Sequence, residues 1–196
     1  MTANQPGSMR ERLIAAANEL FYAYGLRAVS VDKVIELAGT TKVTFYRHFQ
    51  SKDDLVVAYL EHRAAIERDG IGAAIAQSGG DVDAAFRLIA EGTGMVACSP
   101  GFRGCPFINA AAEYPDPDSP VRKTVDAHRR WYRRTFRDLL APLGLADAAA
   151  VADDLMLLRD GAMVAGYLDD PTTLASSFLR SCRAVIGEGV RAPARP

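Results

Sequence analysis

Cysteine is scarce and scattered in this 196-residue chain. Cys98, Cys105 and Cys182 are too few and too widely spaced for a disulfide framework. The step from Cys98 to Cys105 crosses a glycine-rich loop and leaves a redox switch open, although a free cysteine more commonly packs as a small buried apolar residue. No group of histidine, cysteine and acidic residues has the spacing of a metal site, so neither a metal nor another cofactor is expected.

Signatures of enzymes, membrane spans and strands are also missing. The chain has no Ser-His-Asp order, no Gly-x-Ser-x-Gly elbow and no glycine loop that could cradle phosphate, so an enzyme is not expected. It has no run of 18 apolar residues and no signal-peptide pattern, which predicts a cytoplasmic protein outside the membrane. Sustained period-two alternation is absent, and the sequence therefore predicts an all-α fold.

Helical periodicity and helix-breaking residues divide the chain. A polar arm is expected at residues 1–8, a helix-turn-helix domain at 9–55, a helical regulatory and dimerisation domain at 56–190, and a frayed tail at 191–196. Within the second domain the predicted helices cover residues 52–77, 82–98, 106–114, 120–140, 148–168 and 172–187. The first of these begins just before the domain boundary, and Asp81 is the predicted N-cap of the second.

Residues 30–55 predict two short helices around a tight turn. Ser30 is a good N-cap because its hydroxyl can accept from a backbone N–H that has no helical partner. Val34, Ile35 and Ala38 lie on one apolar stripe, and Gly39 follows as the helix stop, where a left-handed backbone angle costs glycine little. This is the spacing of a helix-turn-helix that reads DNA, whereas an ordinary helical hairpin in a core is the alternative.

The second short helix is capped by Thr40 or Thr41 and is expected to bury Val43 with Phe45 or Tyr46. The outward positions carry hydroxyls and cations, and no acid lies between Gly39 and Lys52. The DNA-binding residues predicted from this segment are Ser30, Thr40, Thr41, Lys42, Thr44, Tyr46, Arg47, His48 and Lys52.

Charge is distributed unevenly along the chain. Residues 1–52 hold seven lysines and arginines against four acids, a net charge of +3, while the remaining residues hold 16 against 20, a net charge of −4. A basic module on an acidic body favours attraction to phosphate. A second basic run is expected to be a solvated face paired with nearby aspartates. It comprises Arg129, Arg130, Arg133, Arg134 and Arg137, and the expected partners are Asp116, Asp118, Asp126 and Asp138.

The stretch from Leu13 to Leu60 resembles the N-terminal domain of the TetR (tetracycline-repressor) family of transcription regulators. The resemblance rests on Ile14-Ala15-Ala16-Ala17, Leu20-Phe21 and Gly25, then Ser30-Val31, Ala38-Gly39, Lys42 and Thr44, and then Tyr46-Arg47-His48-Phe49 with Lys52 and Leu55. Val29 and Val43 depart from the family pattern, which commonly has threonine and glycine there. Gly104-Cys105-Pro106 and Asp160-Gly161-Ala162 are similar to a sub-branch of the family.

The last two predicted helices are the expected dimer surface, because each carries apolar residues beyond the single stripe that its own core requires. A wider core contact is the alternative. The resemblance implies a homodimer joined by a four-helix bundle made from these two helices of each subunit. The predicted interface residues are Leu155, Leu158, Ala162, Ala165, Leu174, Phe178, Cys182 and Val185.

The resemblance also implies a small-molecule pocket in the helical body. Methionine and aromatic side chains favour a largely apolar ligand, with His128 and Tyr132 as polar anchors, although such residues at helical spacing are often plain core. The predicted lining residues are Phe86, Met95, Phe102, Phe107, Ile108, His128, Trp131, Tyr132, Met156, Met163 and Tyr167.

These features together predict a homodimeric repressor that a small apolar ligand releases from its operator. The expected partners are double-stranded DNA, a small-molecule effector and a second copy of the chain. The alternative is a helical binding protein or enzyme whose helix-turn-helix domain no longer binds DNA. The salt dependence of binding to random duplex separates the two hypotheses, because only a functional head releases counterions.

Overall fold

The structure, a computed structural model, describes residues 7–191. Over these residues it contains nine α-helices, two short 3-10 turns and no strand, so the predicted all-α fold is confirmed. The helices are α1 (Met9–Tyr24), α2 (Val31–Leu37), α3 (Lys42–His48), α4 (Lys52–Gln77), α5 (Val82–Ala97), α6 (Pro106–Glu113), α7 (Pro120–Leu140), α8 (Ala148–Leu168) and α9 (Leu174–Arg191). Among the described helices, none is both long enough and apolar enough to cross a membrane.

The predicted arm and tail lie almost entirely outside the described residues. Ser8 is described, and it begins the fold as the N-cap of α1: its hydroxyl accepts from the Glu11 N–H at 3.3 Å, and its own N–H donates to the Glu11 carboxylate at 2.7 Å. This reciprocal capping box satisfies two backbone donors at the helix start. Ser8 therefore belongs to α1 and not to a polar arm.

The helices form two compact units. Unit 1 holds residues 7–65 with 106–125, and unit 2 holds residues 66–105 with 126–191. Both α4 and α7 contribute residues to each unit. The predicted boundary at residue 55 differs from this division, because α6 belongs with the N-terminal helices despite its distance from them in sequence.

Each of the helices α1 to α4 contributes buried side chains to unit 1. Leu13, Val34 and Phe45 are completely buried, each on a different helix. Phe21 packs edge-to-face against Tyr59, with ring centroids 5.7 Å apart, a favoured arrangement for two aromatic rings. The short α2 and α3 are therefore held by side chains that they insert between longer helices.

The core of unit 2 is formed by α5, α8 and α9 together with the later turns of α7. Phe86 and Phe136 face each other with ring centroids 5.8 Å apart, and Leu155 of α8 is completely buried among them. Partly buried apolar side chains, including Trp131 and Leu158, pack around this cluster. Unit 2 therefore has a continuous apolar interior of its own.

The last helix, α9, begins and ends later in the chain than the predicted range of 172–187. Residues 171–173 form a 3-10 turn in which the Asp170 carboxylate accepts from the Thr172 N–H at 3.0 Å, and α9 begins only at Leu174. At the other end α9 continues past two glycines. A Cβ on Gly189 would lie 2.7 Å from Cγ2 of Val151, so this glycine permits close packing against α8 and does not end the helix.

Two further glycines allow helices to approach closely in unit 2. A Cβ on Gly94 of α5 would lie 2.8 Å from the Cβ of Ala175 on α9, and one on Gly166 of α8 would lie 2.9 Å from the Cβ of Ala97. Real side chains essentially never come this near, so the spacing of these helices depends on the missing methyl groups.

We predict that Gly94→Ala lowers the free energy of unfolding by about 1–3 kcal/mol, because the added methyl group overpacks the contact between α5 and α9. Gly92→Ala on the same helix is the matched control. No atom lies within 4 Å of its would-be Cβ, and alanine is the better helix former, so this variant should gain up to about 1 kcal/mol. Urea denaturation measures both, and equal stability of the two variants would refute the packing argument.

Candidate nucleic-acid interface and a buried polar network

The two short helices of unit 1 are capped as the sequence predicts. The Ser30 hydroxyl accepts from the Lys33 N–H at 3.3 Å at the start of α2, and Gly39 has the left-handed φ of 61° in the turn. Of the two predicted caps for α3, Thr41 is the one used, because its hydroxyl accepts from the Thr44 N–H at 3.2 Å. Thr40 is half-buried in the turn, with its N–H donating to the Ile35 carbonyl.

The outward face of α3 differs from the prediction at Val43. This side chain is 66% exposed, whereas Phe45 is completely buried. Residues two apart on an α-helix point about 200° away from each other, so these two side chains cannot share a buried face. Val43 is therefore a surface residue between Lys42 and Arg47, and the periodicity of the sequence could have revealed this.

The other predicted residues of α3 are exposed to different degrees. Lys42, Arg47 and His48 are exposed, and Lys42 lies 3.4 Å from the Asp32 carboxylate in a solvent-exposed ion pair. The Tyr46 ring is half covered by Phe45, with centroids 5.2 Å apart. Thr44 is half-buried, and its hydroxyl lies 3.0 Å from the Thr41 hydroxyl.

Lys52 is placed differently from the other predicted DNA-binding residues. It is half-buried, and its ammonium donates to the Arg27 carbonyl at 3.3 Å. Burial lowers the pKa of Lys52, while the carboxylates of Glu113 and Asp53 act in the opposite direction. The Lys52 ammonium therefore helps to hold the loop between α1 and α2 in place.

Two residues at the end of α6, neither of them predicted from the sequence, support this loop and the start of α4. The Glu113 carboxylate accepts from the N–H groups of Leu26 and Arg27 at 2.8 and 2.7 Å. The Tyr114 hydroxyl donates to the Asp53 carboxylate at 2.8 Å, and burial raises the pKa of Tyr114, so the phenol remains a donor. No local signal reveals these contacts, because Glu113 lies more than 80 residues from its partners.

A buried polar network occupies the interior of unit 2. Three donors converge on one carboxylate oxygen of Glu67: His128 Nε2 at 3.2 Å, the Tyr132 hydroxyl at 3.0 Å and Arg159 Nη2 at 3.0 Å. Burial acts to raise the pKa of Glu67, but the hydrogen bond from His128 and the positive charge of Arg159 outweigh it and leave the pKa lowered. Because an ionised carboxylate only accepts, His128 Nε2 carries the proton.

Arg159 extends this network in two further directions. Its Nη1 donates to Cys105 Sγ at 3.1 Å and lies 3.4 Å from Asp160, whose other oxygen is 2.7 Å from Arg129.

The two cysteines considered as a redox pair in the sequence differ in exposure: Cys105 is buried and Cys98 is exposed.

The arginines of α7 form the expected ion pairs, but mainly with another helix. Arg129 pairs with Asp160, and Arg133 pairs with Asp153 at 2.7 Å, both on α8. Arg137 lies 3.7 Å from Asp138, which is one of the predicted partners. Part of the run is therefore an interhelical seam, because two of its arginines pair with aspartates of α8.

The predicted ligand-lining residues do not form one set. Phe107 and Ile108 lie on α6 in unit 1, and the other nine belong to unit 2. Phe86, Tyr132 and Met156 lie within the apolar core, Phe102 and Trp131 pack against it, and His128 and Met163 are buried. Met95 and Tyr167 need correction: they are 70% and 48% exposed, because they point outward from α5 and α8, and so do not line the interior.

The predicted polar anchors are already engaged. His128 and Tyr132 both bind the Glu67 carboxylate, so neither hydroxyl nor imidazole is available to a ligand while that contact persists. The sequence placed both side chains in the body correctly, but it could not reveal that their partner comes from α4.

Most of the predicted dimer residues are already buried within one chain. Leu155, Ala162, Leu174, Phe178 and Cys182 belong to the core of unit 2, and burial raises the pKa of Cys182 to about 12. Side chains this deeply buried have little surface left to bury on association. Leu158, Ala165 and Val185 are half-buried around that core.

A different face of α8 is open. Leu157, Gly161, Val164 and Leu168 are all exposed and follow one another at steps of four, three and four residues. Leu157 is 69% exposed and Leu168 is 71% exposed, which is unusual for large apolar side chains in a regular helix. No atom lies within 4 Å of a would-be Cβ on Gly161, so this stripe is also flat at its centre.

The helical fold and the acid-free outward face of α3 define the class of protein: a helix-turn-helix DNA-binding regulator. Residues 13–59 match the family model of the bacterial regulatory proteins of the tetR family. A TetR-family transcriptional regulator from Streptomyces coelicolor, known from its crystal structure, is 42% identical; the match covers 93% of this chain and 96% of that one, with a TM-score of 0.87. The chain therefore belongs to the TetR family of transcription regulators.

Two characterised relatives share a shorter stretch with the chain. The transcriptional activator FasR of Mycolicibacterium smegmatis is 38% identical over 52 residues, 26% of this chain and 24% of that protein. The transcriptional repressor KstR2 of the same organism is 36% identical over 55 residues, 28% of this chain and 27% of that protein. The matches span about a quarter of the length of these relatives, which differ in the direction of regulation that their names give.

We predict that Glu113→Ala loosens the loop between α1 and α2. The Leu26 and Arg27 N–H groups lose their acceptor, which should lower the free energy of unfolding by about 1–3 kcal/mol. Urea denaturation measures this loss, and amide hydrogen exchange at both residues should accelerate. Glu91→Ala removes an exposed glutamate paired with Arg87 and should change stability by no more than about 0.5 kcal/mol. A loss of stability no greater than in this control would show that the brace is unimportant.

Proposed function

We propose that the protein is a homodimeric repressor that binds its operator through α3 and leaves it when a small, largely apolar ligand binds to unit 2. The observation that carries the proposal is the outward face of α3, which exposes Lys42, Val43 and Arg47 and has no acid of its own. Repression needs only occupancy of the operator, which such a head supplies without further contacts to the transcription machinery.

The side chains of this face suit different parts of DNA. Arg47 and Lys42 can donate to the O6 and N7 atoms of guanine, and Val43 can contact the methyl group of thymine. Tyr46 and His48, at the edges of the face, are placed to hold phosphates, which fix the register of the helix but carry no sequence information. Ser30, Thr40 and Thr41 supply caps and turn contacts that keep α3 in position.

Dimerisation has a physical purpose for such a short recognition helix. One copy of α3 makes few base contacts, whereas two copies can read half-sites about 34–36 Å apart on one face of DNA. The stripe of Leu157, Gly161, Val164 and Leu168 is the surface we assign to the dimer contact. We assign the contact to this stripe in place of the buried residues that were predicted from the sequence. The stripe lies on α8, which is one of the two helices predicted to form the dimer surface.

Release by a ligand follows from linkage between two states of the dimer. DNA favours one relative arrangement of the two heads, and a ligand that binds better to another arrangement lowers operator affinity. The effect cannot exceed the difference in the ligand's affinity for the two states. The aromatic and methionine side chains around Trp131 and Met156 favour a largely apolar ligand.

We predict that Lys42→Ala changes the base preference of the protein, with a loss of about 1–3 kcal/mol at particular operator positions. Lys33→Ala is the matched control, since it removes another exposed lysine, which lies on α2 and not on α3. Selection of bound sequences from a random DNA pool measures both variants. An even loss across all sequences for Lys42→Ala would exclude this residue as a base reader.

Binding of the wild-type protein to random duplex tests whether the helix-turn-helix domain binds DNA at all. Affinity for random duplex should fall linearly with the logarithm of the salt concentration, with a slope of about −0.9 per phosphate contact. A protein that binds no duplex at low salt would instead be a helical small-molecule-binding protein or enzyme with a vestigial DNA-binding domain.

We predict that Leu157→Glu separates the dimer, because a carboxylate buried in an apolar contact without a partner is costly. Ala149→Glu adds the same charge at another exposed position of α8, outside the stripe, and should leave the dimer intact. Sedimentation velocity distinguishes the two species. A dimer that survives Leu157→Glu would place the interface on another surface.

A further inference from the structure

The buried network of unit 2 has the geometry of a binding site for a carboxylate. Its three donors come from α7 and α8, and the acceptor comes from a third helix, α4. The donors are almost completely buried, with His128 at 1% and Tyr132 and Arg159 at 5% exposure. The Glu67 side chain, at 20%, is the most accessible member.

The chemistry of the donors selects a negatively charged oxygen. A guanidinium cannot be deprotonated in a protein, so Arg159 requires an anion wherever it is buried. Together with an imidazole N–H and a phenol, it offers three hydrogen bonds to a single point. A neutral amide or hydroxyl placed there would leave Arg159 with the more distant Asp160 carboxylate, 3.4 Å from Nη1, as its anionic neighbour, whereas a carboxylate in the position of Glu67 adds a second negative charge at 3.0 Å.

Aromatic rings flank this point. The indole of Trp131 stacks on His128 with centroids 5.6 Å apart and meets Tyr132 edge-on at 4.7 Å. Trp131 is only half-buried, and the Arg68 guanidinium lies 5.7 Å from its ring centre. A flat ring attached to a carboxylate would therefore find both an anion site and aromatic surfaces beside it.

We propose that Arg159, His128 and Tyr132 form the site for the carboxylate of a small aromatic acid, and that Glu67 is the built-in competitor that occupies it in the absence of the acid. This inference rests on the proposed function, since it names the chemical class of the effector. When the acid binds, its carboxylate takes the three hydrogen bonds, and the Glu67 side chain, which is already 20% exposed, moves into solvent.

The displacement acts on α4. Glu67 is the residue that ties α4 to the donors of α7 and α8, and α4 is a single helix whose first residues belong to unit 1. Binding of the acid therefore removes the hydrogen bonds that Glu67 makes to these helices and lets α4 adopt another position. Competition for one oxygen thus links occupancy of the site to the helix that begins beside the DNA-binding segment.

The test uses the full chain with benzoate as the acid and benzamide as its neutral analogue, and the single tryptophan, Trp131, reports binding. Benzoate should change the fluorescence of the wild type in a saturable manner, and benzamide should not. Glu67→Gln replaces the competitor by a neutral side chain of the same size, so benzoate should bind roughly tenfold more tightly or better, because charged hydrogen bonds are much stronger than neutral ones. Glu91→Gln is the matched control and should bind like the wild type.

A second variant keeps the test decisive if Glu67→Gln alters the fold. Glu67→Ala removes the competitor entirely, and propionate, which resembles the missing side chain, should raise its melting temperature more than that of the wild type. Propionamide should fail to do so. The proposal is wrong if benzoate binds Glu67→Gln no more tightly than the wild type, or if propionate protects Glu67→Ala no better than propionamide.

The DNA measurement separates this inference from the proposed function. Benzoate should lower affinity for duplex at the same concentrations that change Trp131 fluorescence. Absence of duplex binding by the unliganded protein would overturn the proposed function, while the fluorescence titrations would still decide whether the carboxylate site exists. Binding of benzoate with unchanged duplex affinity would overturn the role of Glu67 as a competitor that controls α4.

Discussion

The ion pair between the Arg159 guanidinium and the Glu67 carboxylate constrains how the helices of unit 2 can be arranged. The guanidinium is charged at every accessible pH and lies almost entirely out of contact with water, so the carboxylate must come within hydrogen-bonding distance, as it does at 3.0 Å. Removing one partner of a buried pair costs about 3–5 kcal/mol, because the other charge remains buried. His128 and Tyr132 bind the same oxygen, so α4, α7 and α8 are aligned on a single atom.

The geometry that this ion pair requires is stricter than the geometry that the surrounding apolar packing requires. Apolar side chains tolerate small shifts, whereas three hydrogen bonds to one oxygen lose strength steeply with distance and angle. The exposed pair of Arg183 and Asp83, although bidentate at 2.6 Å, is screened by solvent and imposes no comparable demand. The buried network therefore gives unit 2 a defined arrangement of helices and a place where a ligand of suitable charge can change it.

In unit 1 the corresponding constraint is the small size of the recognition helix. A helix of seven residues such as α3 has no stability of its own in water, since nucleation costs more than so few hydrogen bonds return. It exists because Phe45 is buried, because Thr41 caps its first turn, and because the loop before α2 is fixed by Glu113 of α6. The outward face of α3 thus depends on the buried side chain and the cap of α3, and also on the Glu113 contacts, which lie outside α3.

Local chemistry was sufficient to predict most helix limits. The caps at Ser30 and Asp81 and the helix start at Pro106 follow from side chains within a few residues of the backbone groups that they satisfy, so the sequence alone determined them. The family resemblance likewise rested on one continuous stretch. The predicted placement of Val43 in the core was wrong although its helical phase could be read from the sequence.

Other features depended on residues that are distant along the chain. The partner of Arg159 is 92 residues away, the acceptor for the Leu26 N–H is 87 residues away, and neither pairing leaves a local pattern. The same holds for the open face of α8: every apolar stripe on that helix was visible in the sequence, but which stripe remained exposed was decided only when α5 and α9 covered the others. The sequence determined which residues each helix could bury, and the tertiary structure decided which it did bury, because burial depends on neighbours that no local pattern specifies.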